Sequence, residues 1–124
     1  MIICDTNIFI EIFRKNIFIR SELEKIGYEN IAVSDVVKAE LFFGAIDKIE
    51  LQNITKCLEN FPVLSIHTKI SQMAVDFVKS YCLSQKLKLP DALIAATAIY
   101  YGIELFTLNV KDFKFIPNIK LYQM

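Results

Sequence analysis

Histidine occurs once in this 124-residue chain, at His67, and cysteine three times, at Cys4, Cys57 and Cys82. The cysteines are odd in number, widely spaced and never arranged as C-x-x-C, and no cysteine lies near His67. That scarcity argues against a zinc finger or a disulfide framework and fits a reduced, cytoplasmic setting. A Ser-His or Cys-His nucleophile pair has little to draw on either. Net charge is also missing, because fourteen basic side chains cancel fourteen acidic ones. General affinity for nucleic acid usually shows as a basic excess, so any polyanion must meet a local patch. Charged residues interrupt every apolar stretch before it reaches the about 20 residues of a membrane span. The opening residues lack the basic region and cleavage site of a signal peptide. There is no linker, repeat or low-complexity tract, and a chain of this length reads as a single domain over residues 1–124.

What the chain has in excess is apolar surface. Hydrophobic residues make up 54% of it, against about 45–50% in an average globular domain. A domain this small cannot hide so much alone, which points to a dimer or a tightly bound partner.

Short β-branched runs alternate with helical patterns. Ile2–Cys4, "IAVS" at Ile31–Ser34, "VLSI" after Pro62, "ELFT" from Glu104 and "IKLY" near the C-terminus read as strands. Helical spacing runs from about Asn7 to Phe13, Ile17 to Ile26, Ser34 to about Ile46, Glu50 to Phe61 and Thr68 to Lys86. Ser34 is placed to cap the third of these, and Asp35 to favour its dipole. Asp91–Tyr101, entered through Pro90 and stopped by Gly102, is apolar nearly all round, so it should be the central buried helix. Such alternation implies a mostly parallel, five-stranded sheet covered on both faces, with ligands beyond the carboxyl ends of the strands.

The acidic residues are unremarkable one by one. Asp5, in Asp5-Thr6-Asn7, is placed as an ordinary helix cap. Glu40, in "DVVKAELFFGA", falls on or beside the buried face of its helix with no lysine or arginine at a favourable position. Asp91 is a normal first-turn acid, and Asn109 and Asp112, in "TLNVKDF", are normal turn residues. As a set they are less ordinary. Asp5 and the 109–112 loop lie at the carboxyl edge by chain logic, and Glu40 and Asp91 are within its reach. Carboxylates gathered without cations raise one another's pKa values. A hard divalent cation relieves that repulsion, and Mg2+ or Mn2+ on carboxylates suits phosphodiester hydrolysis. His67 stands alone and reads as a strand-end or turn residue.

Together "IICDTNIFI", "VSDVVKAELFFGA", "LPDALIAATAIYYG" and "LFTLNVKDF" resemble the PIN domain, and in particular the VapC-type toxins of bacterial toxin–antitoxin pairs. The resemblance runs from the first residues to the last strand. It implies a three-layer α/β/α sandwich and a Mg2+- or Mn2+-dependent endoribonuclease. It assigns Asp5, Glu40 and Asp91 as catalytic metal ligands. Relatives differ over the fourth acid, so Asp112 is expected to fill it, with Asn109 as a weaker metal contact. Thr6, Asn7 and Thr107 are expected to support the carboxylates by hydrogen bonding. Also implied are a small antitoxin whose tail enters the active-site groove, a homodimer, and RNA met by a basic rim of Arg14, Lys15, Lys86, Lys88 and Lys111. A haloacid dehalogenase would need an aspartate where Asn7 stands, and a receiver domain an aspartate after the third strand, where "VLSIHT" has none. The alternative is a PIN-like module that binds antitoxin or RNA without cutting, favoured only by Asn109.

Overall fold

In a computed structural model, which describes residues 1–124, strand β1 (Ile2–Cys4) is followed by helices α1 (Thr6–Phe13) and α2 (Ile17–Ile26). Strand β2 (Ile31–Ser34), α3 (Asp35–Phe43), α4 (Lys48–Leu58) and β3 (Val63–Leu64) come next. Helices α5 (Thr68–Tyr81) and α6 (Leu89–Tyr101) and strand β4 (Glu104–Phe106) complete the regular elements. Local chemistry sets the boundaries. Asn16 accepts from the backbone N–H of Phe18 and Ile19 to start α2. Ser34 Oγ accepts from Val37 N–H to start α3, as the sequence predicts. Asp47 does the same for Glu50 at the head of α4. Gly102 ends α6 in the left-handed conformation (φ 65°), which costs glycine nothing.

The sheet is parallel throughout, in the order β3-β2-β1-β4. It has four strands where the sequence predicts five. "IKLY" contributes only one bridge, Leu105 to Leu121, with Leu105 N–H donating to Lys120 O and Tyr122 N–H to Leu105 O. The left-handed backbone of Asn118 (φ 67°), just after Pro117, leaves little chain to extend the ladder.

The strand order creates the site. The chain steps outward from β1 to β2 to β3, then returns through α5 and α6 to place β4 on the other side of β1. Right-handed crossovers assign α1–α4 to one face and α5–α6 to the other, the three-layer arrangement. Where the winding reverses, between β1 and β4, a crevice opens at the carboxyl ends of the strands. Residues Ile3, Cys4, Ala32, Val33 and Leu105 are fully buried, the mark of central parallel strands. Helix α6 contributes Ala92, Ile94, Ala95, Ala96 and Ala98 with no exposure, so its small side chains let α5 and the sheet close on it. Helix α3 touches both α1 and α6 and so brings its own acid toward theirs. No helix is long and apolar enough to cross a membrane.

Candidate active site

Asp5 leaves β1 where the crevice opens, with its backbone N–H donating to Phe106 O of β4. Its side chain does what the sequence allows on either reading. One carboxylate oxygen, Oδ1, accepts from Thr6 N–H at 2.8 Å and caps α1. The other, Oδ2, accepts from the Thr107 hydroxyl at 2.8 Å, and the Asn7 amide approaches it at 3.5 Å. The residue is buried, and burial raises its pKa above the ordinary carboxylate value. The Thr107 and Thr6 hydrogen bonds oppose that rise, and the charges of Glu40 and Asp112 add to it.

Asp91 occupies the first turn of α6, which enters the sheet layer from the carboxyl edge. Its carboxyl is pushed up to about 6, first by partial burial and then by the charges of Asp5, Asp112 and Glu40, with Lys88 pulling the other way. Asp5, Glu40, Asp91 and Asp112 therefore share one electrostatic neighbourhood.

Glu40 is not on the buried face. Val37 and Leu41 are buried, but Glu40 is exposed to the crevice, where its Oε1 accepts from the Thr6 hydroxyl at 2.8 Å. Of the two candidates after β4, Asp112 is half-buried and acts on both Asp5 and Asp91. A short 3-10 turn over Val110–Asp112, closed by Asp112 N–H donating to Asn109 O, carries it back. Asn109 is exposed, and its backbone N–H, not its side chain, joins the network by donating to Thr107 Oγ1.

The donors are all hard oxygens, the kind Mg2+ and Mn2+ prefer. No three carboxylates, histidines or cysteines stand at metal-holding spacing. The two observations concern different ranges, since Coulomb coupling reaches further than a coordination bond. Mg2+ itself takes only one or two carboxylates while keeping several waters. The donor set thus fits a partly hydrated hard cation.

The expected basic rim is only partly assembled. Lys88 faces Asp91 closely enough to act on it, Lys111 lies in the turn that carries Asp112, and Arg14 lines the groove beside Glu40. Arg14 is meanwhile paired with Glu11 at 3.3 Å. Lys15 and Lys86, both with left-handed backbones, pair with no carboxylate. His67 stands at the head of α5 with its ring edge-on to Tyr100, 4.4 Å between centroids. Cys4 is buried beneath the site, and burial and Asp5 push its thiol up to about 12, which leaves it inert.

A groove of about 590 Å3 opens from the crevice between α1, α3 and α4. Ile10, Phe13, Leu41 and Ile54 form its apolar walls, and Glu40, Glu50 and Asn53 its polar ones. The sequence reading did not single out Glu50 and Asn53. Their three-residue spacing on α4 puts them on one face, but nothing in the sequence says what that face meets.

The PIN domain family model matches residues 2–117. Ribonuclease VapC1 of Rickettsia felis is 32% identical over 97% of this chain and 93% of its own length. A chain in a toxin–antitoxin complex from Klebsiella pneumoniae is 33% identical and superposes with a TM-score of 0.82 over 100% of both chains. A chain in the Rickettsia felis VapBC2 complex bound to a promoter DNA fragment is 28% identical, with a TM-score of 0.83 over 100% of this chain and 99% of that one. This chain belongs to the PIN domain family and, within it, to the VapC-type ribonucleases.

Proposed function

We propose that this chain is the endoribonuclease toxin of a toxin–antitoxin pair, acting in the cytoplasm and hydrolysing RNA phosphodiester bonds with Mg2+ or Mn2+. The single observation that carries the reading is the electrostatic neighbourhood of Asp5, Glu40, Asp91 and Asp112 at the switch point of the sheet. One or two of these carboxylates would hold the ion directly and the others through its water, and the ion when bound would supply a nucleophilic hydroxide and neutralise the departing oxygen. The chain's own residues prepare that chemistry. Thr6 N–H and the Thr107 hydroxyl orient the two oxygens of Asp5, and the Thr6 hydroxyl orients Oε1 of Glu40, whose Oε2 accepts no hydrogen bond within the chain. Asp91, at the head of α6 and within the electrostatic reach of Asp5, Asp112 and Glu40, completes the set that would hold the ion. Lys88, Lys111 and Arg14 stand beside these carboxylates and would meet an RNA backbone bound there, while Asn109 is left at most a weaker contact.

The groove beside Glu40 supports an antitoxin partner. Apolar walls interrupted by two glutamates suit a partner helix or tail with one apolar face and a basic side chain directed at the carboxylates. Phe43, Ile46 and Ile49, all strongly exposed, flank that groove in sequence and account for part of the apolar excess. The exposed Val75, Leu83 and Leu89 on the α5–α6 side favour a homodimer in the same way. The non-cutting alternative rests on Asn109, and the nearness of the Asp112 charge to Asp5 and Asp91 supports the cutting reading instead.

The test is Mn2+ titration calorimetry with cleavage of a structured RNA, on the wild type and on Asp5→Asn, Glu40→Gln, Asp91→Asn and Asp112→Asn. Saturable binding and cutting, both lost in the first three variants, are expected. A folded, antitoxin-free wild type that binds no Mn2+ and cuts no RNA would overturn the reading.

A further inference from the structure

The segment that follows β4 has few ties of its own. Leu108, Asn109, Val110 and Lys111 are exposed, and the first buried anchor downstream is Phe113. Yet Asp112, one residue before that anchor, has to stand at a fixed place relative to Asp5. Apart from the 3-10 turn, the bonds that hold this segment run to Thr107 and to one side chain across the crevice, Asn7.

Asn7 Oδ1 accepts from Leu108 N–H at 3.2 Å, and Nδ2 donates to Thr107 Oγ1 at 3.4 Å while facing Asp5 Oδ2 at 3.5 Å. The orientation of the amide follows from its partners. Flipped, it would set NH2 against an N–H and a carbonyl oxygen against a carboxylate. Only a side chain that both donates and accepts within one short reach satisfies this position. Aspartate cannot donate when ionised, and serine has only one polar atom.

We propose that Asn7 is a positioning residue: its amide latches the segment after β4 onto the first turn of α1 and so sets where Asp112 stands relative to Asp5. The claim that this placement serves metal binding rests on the carboxylate reading above; the latch itself does not. Residues that orient metal ligands from behind typically account for about 10–100-fold in affinity.

The test uses the full chain and two readouts: backbone amide exchange at Leu108 by NMR without metal, and Mn2+ affinity by calorimetry. Asn7→Ala should speed Leu108 exchange at least about tenfold and weaken Mn2+ about tenfold. Asn16→Ala removes a comparable cap at α2, outside the site, and controls for general loss of stability. It should leave both readouts within about twofold of wild type, as expected of distant, independent sites. If Asn7→Ala fails to fold, the near-isosteric Asn7→Leu replaces it. Unchanged exchange at Leu108 overturns the latch. Faster exchange with unchanged Mn2+ affinity, where Asp112→Asn does weaken it, overturns the positioning role. Should the wild type bind no Mn2+, the carboxylate reading fails. Exchange alone then decides: faster in Asn7→Ala keeps the latch, unchanged removes it.

Discussion

The Thr107 hydroxyl donates to Asp5 Oδ2 at 2.8 Å, joining residues 102 positions apart across the β1–β4 seam. The same oxygen accepts from Asn109 N–H at 3.0 Å, so a single hydroxyl satisfies both a buried carboxylate and a loop amide. Thr107→Val keeps the shape and removes both bonds, together with the longer one that Thr107 Oγ1 accepts from Asn7 Nδ2. An unsatisfied buried polar group costs about 1–3 kcal/mol. Chemical denaturation of the metal-free protein at neutral pH should show a loss in that range for Thr107→Val, and recovery of most of it in Thr107→Ser. A Thr107→Val protein as stable as wild type would mean that water replaces the hydroxyl.

Asp91 should make the metal-free protein less stable as pH rises. Its pKa is ordinary in the unfolded chain and about 6 in the folded one. Between those values the folded state holds a proton that the unfolded state has released, so stability falls as pH climbs through about 4 to 6 and stays low above it. Two units correspond to a ceiling near 3 kcal/mol, and solvent screening at a half-exposed group reduces this to about 1 kcal/mol. Asp91→Asn should therefore be more stable than wild type by about that amount at pH 7.5 in chelator, with the advantage gone by about pH 4. Saturating Mn2+ should reverse the order, because only the wild type then gains binding energy. Thermal denaturation across pH, with and without Mn2+, reads both signs.

How far the sequence spoke depends on the kind of signal each residue leaves. Ser34 as a cap and the bounds of α2 were readable because capping chemistry and breakers act within a few residues. So was the burial of α6, apolar on every side. Glu40 was legible only as on or beside the buried face, because Val36, only half-buried, drew the inferred face toward it; the structure puts it beside that face and exposed. At 100° per residue Glu40 stands about 80° from the Val37–Leu41 stripe, enough to reach the crevice. The preference for Asp112 over Asn109 came from a resemblance, while the 3-10 turn that brings Asp112 toward the other acids leaves no periodic pattern in the sequence. The Asn7–Leu108 contact was invisible for a related reason. It joins a side chain to a backbone amide, and an amide has no identity in the sequence.

The alanines of α6 should be intolerant of enlargement. Ala92, Ala95, Ala96 and Ala98 have no exposed surface, and α6 packs between α5 and the sheet. Overfilling a well-packed interior costs about 1–3 kcal/mol. Ala95→Leu should lose that much in urea denaturation. Gln72→Ala, on the exposed side of α5, should stay within about 0.5 kcal/mol of wild type. A neutral Ala95→Leu would mean that α6 has room beside it.

The groove between α1, α3 and α4 should separate partner binding from ion binding. Phe13 lines the groove at the far end of α1 from Asp5, and about a third of its surface is exposed. Phe13→Ala removes an apolar wall of the groove without adding a charge near Glu40. A large apolar anchor at the centre of an interface typically accounts for about 2 kcal/mol or more. The variant should therefore bind the cognate antitoxin at least about tenfold more weakly in calorimetry. Its affinity for Mn2+ should stay within about twofold, because the carboxylates are untouched. If antitoxin affinity is unchanged, the partner docks elsewhere, and the exposed Phe18 and Leu83 become the next surfaces to substitute.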